Sequence, residues 1–444
     1  MRSALPPAFP LQPFLSSFEG RIVAALTTWQ GASAALAAFC FGYPFVMAWY
    51  WMAGGLLLRY TRDRREPLPE APPPLPDYPL VSILVPCFNE QDQIGETFSA
   101  LAAIAYPSYE IIAINDGSTD HTAEMLDALV EQIPQLRVVH LASNQGKSTA
   151  MNIGALAARG EILVATDGDA LLHPHAVTWF VRRFQMTPTL GAITGNPRIR
   201  NRGTLLGKLQ VGEFSSVVGL IKRAQSTYGT LFTVSGVICA FRKRALQDAG
   251  WWSPAALTED VDVTWRIELA GWRVTFESKA LCWILTPETF RGLWRQRLRW
   301  AEGGVQSILS ATRAMLRLRR GRLLPIWINY MVSIFWAYSM VIGFGLWGVS
   351  RLFPDLTGGP MGFSVLPQWW GTVLALTYLL QSAVSVHLDR RFEEHLLTSI
   401  FWVIWYPLVF WMLQTATAVV GVPRALLRPR HVRGTWISPD RGFR

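Results

Sequence analysis

Acidic residues stand at three places in this 444-residue chain where their surroundings are mostly apolar: Asn115-Asp116-Gly117-Ser118, Asp167-Gly168-Asp169 and Thr258-Glu259-Asp260. A lone Asp-Gly is a turn signal. Two carboxylates separated by one glycine at the exit of a buried strand do more: they offer hard oxygen ligands to a divalent cation, and the glycine lets a diphosphate approach the backbone. The third pair precedes the amphipathic stretch Val261 to Ala270, where acids at a helix start complement its dipole. A fourth group, Gln296-Arg297-Leu298-Arg299-Trp300, lies among Arg291, Trp294 and Arg295 just before a long apolar run. Taken alone, it reads as an interfacial helix whose arginines reach for water. No GxGxxG follows the first strand, where Pro86-Cys87-Phe88-Asn89-Glu90 stands, and there is no GxxxxGK[ST], so dinucleotide and P-loop chemistry lose ground. Cys40, Cys87, Cys239 and Cys282 have no CxxC spacing and support neither a zinc site nor a disulfide framework.

The elements that must hold these acids alternate. Val81 to Pro86, Glu110 to Ile114, Arg137 to Leu141 and Glu161 to Thr166 read as strands; Gln91 to Ile104, His121 to Gln132 and Gly146 to Arg159 read as helices. Such alternation predicts an α/β domain with a doubly wound sheet and parallel strands, in which ligands gather beyond the carboxyl ends of the strands. Asp116 and the Asp167–Asp169 pair fall there.

Half the residues are hydrophobic and only 16% are charged, a thin polar supply for a soluble protein of this length. Residues 31–58 carry no charge until the basic flank that follows and suffice to cross a hydrocarbon core of about 30 Å, which needs about 20 helical residues. Leu323 to Ser350, Trp369 to Leu388 and Leu396 to Val422 are three further runs. The expected organisation is a weak or interfacial segment over 1–30, a span over 31–58, a basic and Pro-rich linker over 59–79, and a cytoplasmic catalytic domain over 80–284. Interfacial helices over 285–322, three transmembrane or re-entrant segments over 323–422 and a basic tail over 423–444 complete it. Seven prolines between Pro67 and Pro79 predict a stiff spacer holding the domain off the first span. The formal charge of +10 gathers beside the apolar runs, as in Arg59, Arg62, Arg64 and Arg65, which is the positive-inside signature rather than a nucleic-acid footprint. Three closing crossings would leave the Arg-rich tail on the opposite side from the domain; Pro407 allows a kinked or re-entrant last segment that would bring it back.

The ordered set Pro86–Glu90, Asn115–Ser118, Asp167–Asp169, Thr258–Asp260 and Gln296–Trp300 (QxxRW) resembles the inverting, processive family 2 glycosyltransferases. Longer stretches, Gly195–Arg200, Gly207–Lys222, Leu281–Glu288 and Trp436–Gly442, are similar to the bacterial poly-β-1,6-N-acetyl-D-glucosamine synthases within them. The resemblance implies a GT-A-like doubly wound mixed sheet inserted between transmembrane helices. It also implies a β-1,6-linked biofilm exopolysaccharide made from UDP-N-acetylglucosamine and exported at the bacterial inner membrane.

Carried onto this sequence, the family's roles make Asp116 a nucleotide contact. Asp167 and Asp169 hold a divalent cation, Mg2+ or Mn2+, with Asp169 the more direct ligand and Asp167 nearer the sugar nucleotide. Asp260 becomes the general base, and Glu259 orients the loop or acceptor. Gln296 and Arg299 engage diphosphate, and Trp300 offers a flat face to the acceptor sugar. Lys147 is either a donor near the nucleotide or a solvated lysine at a helix start, and Ser235-Gly236 is either an acceptor-side loop or a plain turn. The implied partners are the growing glycan, membrane lipid, a small two-span subunit and cyclic di-GMP control through the complex, with no nucleic acid. The alternatives are a hyaluronan-, chitin- or cellulose-type synthase, or an inactive membrane scaffold.

Overall fold

The computed structural model describes residues 29–353, 369–393, 396, 400–403 and 406–428. The expectations for residues 9–28 and for the Trp436–Gly442 match lie outside the described residues. The chain divides into two compact units, residues 1–47 with 334–377 and residues 48–333 with 378–444.

The larger unit is built on one sheet. Strands β1 (Val81–Cys87), β2 (Tyr109–Asn115) and β4 (Ile162–Thr166) are almost wholly buried, β3 (Leu136–His140) only in part, and all four run parallel. Their continuous apolar runs fit a sheet covered on both faces. Helices α2 (Ile94–Ala102), α3 (Thr122–Val130) and α4 (Lys147–Ala157) make the crossovers. Beyond β4 the pattern changes: β5 (Leu171–Leu172), α5 (Ala176–Met186), β6 (Leu190–Ile199), β7 (Ile238–Arg242) and β8 (Arg273–Ile284) complete an eight-stranded sheet in the order β3-β2-β1-β4-β7-β6-β8-β5. Strand β7 is antiparallel to both β4 and β6, so the sheet is mixed rather than wholly parallel. The reversal arises because the chain between β6 and β7 leaves the sheet as α6 (Leu205–Phe214), a π-helical segment (Ser215–Ile221) and α7 (Lys222–Tyr228) before returning.

Helix α8 (Lys243–Asp248) follows β7, and α9 (Glu259–Leu269) precedes β8. Helix α10 (Phe290–Arg317) then packs on α9. Among the described residues four helices are long and apolar enough to cross a membrane, spanning Gly31–Arg65, Gly321–Leu352, Trp369–Asp389 and Val409–Leu427. The first and second contain α1 (Trp29–Thr61) and α11 (Leu324–Leu352), the third is α12 (Trp369–Asp389), and the fourth lies in α14 (Tyr406–Leu427) after the short α13 (Ile400–Val403). In the smaller unit α1 meets α11 through Phe39 and Phe335, with centroids 5.1 Å apart, and the Trp336 indole donates to the Cys40 carbonyl at 2.8 Å.

The Pro-rich segment is docked rather than free. The Trp179 indole donates to the Pro69 carbonyl at 2.9 Å, the Tyr106 hydroxyl to the Pro79 carbonyl at 2.8 Å, and Leu75 enters the core around β1. Its missing amide hydrogens leave carbonyls free to accept from the domain. The stretch from Asp389 to Arg428 meets the rest of the larger unit at both of its ends. Arg391 donates to the Asp63 carbonyl at its start, Phe410 and Leu413 pack with Leu293 of α10, and Arg428 at its end lines the catalytic cavity described below. Pro407 occupies the first turn of α14, where a missing amide costs no hydrogen bond.

Candidate active site

The carboxyl ends of the strands open onto a cavity of about 800 Å³. Its wall includes Lys147, Asp167, Asp169, Glu259, Asp260, Gln296, Arg299 and Trp300, so eight residues from four sequence regions converge on one space. Three were predictable as a group, because positions i, i+3 and i+4 share a helix face: on α10 this puts Gln296, Arg299 and Trp300 toward the cavity.

Lys147 begins α4 just after Gly146, whose φ of +88° suits only glycine readily. Far from being solvated, its ammonium pairs with Asp167 at 2.6 Å and Glu259 at 3.1 Å. Burial would lower its pKa, but these two carboxylates outweigh that and raise it. For Glu259, burial works upward while Lys147 and Arg299 hold it below the usual carboxylate range. Asp260 responds differently. Burial and the neighbouring Glu259 charge push it up to about 6, against the opposing pull of Lys147, Arg299 and the Val261 amide. Two adjacent acids thus take different characters, one ionised and paired, one placed to accept a proton near neutral pH.

Asp116 directly follows β2 and turns its carboxylate onto the loop before α4. It is fully buried, and its carboxylate accepts the amides of Gln145 at 2.7 Å and Gly146 at 2.9 Å. Burial raises its pKa and the two amides oppose that. It shapes the loop leading to Lys147, and Gln145 and Gly146, not Asp116, line the cavity. Asp120 accepts the Thr122 amide at 3.0 Å at the start of α3.

Leu231–Val234 is not a strand but an anchored loop. Glu268 accepts the Leu231 amide, Thr264 accepts the Val234 amide, and Thr194 accepts the Ser235 amide at 2.8 Å. This seats Gly236 at the centre of the site: a Cβ there would stand 3.4 Å from Lys147 Nζ and 3.6 Å from both Asp260 Oδ2 and Glu259 Oε1. Burial pushes Glu268 up to about 8, so at neutral pH it holds the loop as a carboxylic acid. Arg297 also lines the cavity, but its guanidinium is already engaged. It pairs with the buried Glu213 and lays its guanidinium 4.1 Å from the centre of the Trp300 ring, supporting the ring from behind. Sequence reasoning missed Glu213, Glu268 and Lys222, all buried polar residues inside helical runs, because no local spacing marks them.

Asp167 and Asp169 fit a divalent cation brought by a nucleotide sugar. Among the described residues no cluster of three or more His, Cys, Asp or Glu is arranged to hold a metal. Two carboxylates on the cavity wall would supply hard oxygen ligands to such a cation and leave its other positions to ligand oxygens and water.

A mixed α/β sheet with these acids at its strand ends has the GT-A architecture, and the chain belongs to glycosyltransferase family 2: residues 76–303 match the family described as glycosyltransferase like family 2. Over 405 residues the chain is 36% identical to the poly-β-1,6-N-acetyl-D-glucosamine synthase of Staphylococcus aureus, covering 91% of this chain and 98% of that one. The synthase of the same name from Staphylococcus epidermidis is 33% identical over 407 residues, with the same coverage. The fold matches the mannosyltransferase PcManGT from Pyrobaculum calidifontis, solved with GDP-Man and Mn2+, at a TM-score of 0.57 and 21% identity, covering 90% of this chain and 99% of that one.

Proposed function

We propose that this protein is an inverting, processive glycosyltransferase that polymerises N-acetylglucosamine from UDP-N-acetylglucosamine into a β-1,6-linked polysaccharide. The observation that carries the reading is the single cavity in which Asp260, the Asp167–Asp169 pair and the Gln296–Arg299–Trp300 face meet. The donor and linkage rest on the synthases it resembles over nearly their whole length.

Asp260 accepts the proton of the acceptor's 6-hydroxyl as that oxygen attacks the anomeric carbon opposite the departing UDP. The carbon–oxygen bond to the diphosphate breaks, and an α-linked donor becomes a β-linked product in one displacement. No second carboxylate nucleophile is required. Asp167 and Asp169 are the residues to hold a divalent cation, whose chemistry is to neutralise charge on the diphosphate. Lys147 bridges Asp167 and Glu259, keeping the cation-binding and base-bearing loops at fixed separation. Gln296 and Arg299 bind the diphosphate, and Trp300, backed by Arg297, presents a face to the acceptor pyranose. Asp116 acts through the Gln145–Gly146 backbone.

The basic flanks of the apolar runs support a catalytic domain on the cytoplasmic side of the bacterial inner membrane. Arg428 on the cavity wall supports a tail on that same side. Passage of the polymer between the helices, a small two-span subunit and cyclic di-GMP control through the complex belong to the same proposal. The purified full chain, given labelled UDP-N-acetylglucosamine and Mg2+ or Mn2+, is expected to form polymer cut by a β-1,6-specific glycosidase, and Asp260→Asn to form none. Polymer resistant to that enzyme rejects the linkage, and full synthesis by the variant rejects the base.

A further inference from the structure

Lys222 opens α7 directly after the π-helical segment and is 6% exposed. Its side chain lines the catalytic cavity. A buried ammonium is costly to leave without a counter-charge. Among the described residues, however, no carboxylate forms an ion pair with it, and its hydrogen bond is a long one, 3.4 Å to Thr194 Oγ1. The next residue, Arg223, makes the contrast: it turns to the opposite side and pairs with both Asp63 and Asp389.

The position of Lys222 is set by the loop that flanks Asp260. Thr194 Oγ1, which takes the Lys222 hydrogen bond, also accepts the Ser235 amide. The adjoining Gly236 borders Asp260 Oδ2. The charged and titratable groups facing Asp260 are Glu259 on its own helix, Lys147 on α4, Arg299 on α10, Lys222 on α7 and Cys239 on β7. Lys147 divides its ammonium between Asp167 and Glu259, and Arg299 donates to the Leu257 carbonyl at 3.3 Å. Lys222 and Arg299 both keep donors for the cavity, but Arg299 is the one assigned to the diphosphate, which leaves Lys222 as the buried cation without a carboxylate partner or a role in holding the donor.

We propose that Lys222 is a positioning residue of the transfer reaction, its ammonium holding Asp260 in the ionised, proton-accepting form against the like charge of Glu259. This rests on Asp260 being the base. Burial lowers Lys222 to about 8, with Asp260 opposing, so the cation is present at neutral pH and fades above it.

The sign follows directly. An added cation lowers the pKa of a carboxylate, so removing it raises the pH below which the base is protonated and idle. Initial polymerisation rates of the full chain in detergent, taken from pH 5.5 to 9 for wild type, Lys222→Met, Lys222→Gln and Lys222→Arg, test it. The two neutral variants are expected to move the acid limb upward by about one pH unit, which is about tenfold in rate on that limb. They rejoin wild type above the Lys222 pKa, and the Arg variant keeps the wild-type limb. An acid limb unmoved in both neutral variants overturns the inference, as does an equal loss at every pH in all three with UDP binding intact. Activity in Asp260→Asn would instead strike down the assignment of the base, a failure separable from that of Lys222.

Discussion

At the residue scale, Arg297 separates what spacing reveals from what it hides. The QxxRW pattern is legible because three of its residues lie on one helical face. Arg297 sits one residue away, about 100° around the helix, and its partner Glu213 is 84 residues distant, so no local pattern joins them. Burial raises Glu213, while Arg297 opposes that and satisfies one of its oxygens. Removing one member of a buried ion pair leaves the other uncompensated, at a cost of about 3–5 kcal/mol, whereas removing both is far milder. Arg297→Met is therefore expected to lower the thermal midpoint sharply and, by withdrawing the support behind Trp300, to raise the acceptor KM. Adding Glu213→Gln should restore most of the stability without restoring KM. Thermal unfolding and acceptor kinetics on the single and double variants check this, and equal stability of the two would remove the pair from the account.

At the element scale, the parallel half of the sheet was readable and the remainder was not. Strands β1, β2 and β4 are continuous apolar runs, the pattern that burial on both faces demands. Strand β6 includes Gly191, Gly195 and Pro197, which break that pattern, and its pairing with β8 is irregular at the two glycines. Conversely, the apolar stretch Leu231–Val234 is a loop, because side chains from α7 and α9 rather than a neighbouring strand take its amides. That loop ends at Gly236, where a methyl group would meet Lys147 and both acids at ordinary contact distance. A larger side chain would crowd Lys147, Asp260 and Glu259 together. Gly236→Ala is thus expected to keep most activity, and Gly236→Val to lose about a hundredfold or more in kcat with an unchanged thermal midpoint. An active Val variant would mean that the acceptor does not pass this turn.

At the scale of the whole larger unit, a buried charge network stands beside the apolar packing where the catalytic domain meets the ends of two apolar helices. Arg223, fully buried, joins Asp63 just past α1 to Asp389 at the end of α12, and Arg198 of β6 joins Asp389 as well at 2.9 Å. Beside them Glu66 is paired with Arg182, Arg183 and Lys279. The sequence does carry a signal for this: the tripeptide Asp-Arg-Arg ends both apolar runs, at 63–65 and 389–391. Its arginines satisfy the positive-inside rule, which conceals that its aspartates are directed inward. Gly219 lets the π-helical segment approach this network closely, since a Cβ at that position would collide with the Asp389 carboxylate. Each aspartate depends on the same guanidinium, so the energies should be strongly non-additive. Arg223→Met is expected to leave Asp63 with Arg62 and Asp389 with Arg198 as their remaining partners, and to cost several kcal/mol, more than Asp389→Asn alone. Arg223→Met combined with Asp63→Asn and Asp389→Asn should regain much of that loss. Unfolding of the full chain in detergent, followed by intrinsic Trp fluorescence, reads the cycle; additive effects would mean that the two helix ends are held to the domain independently of one another.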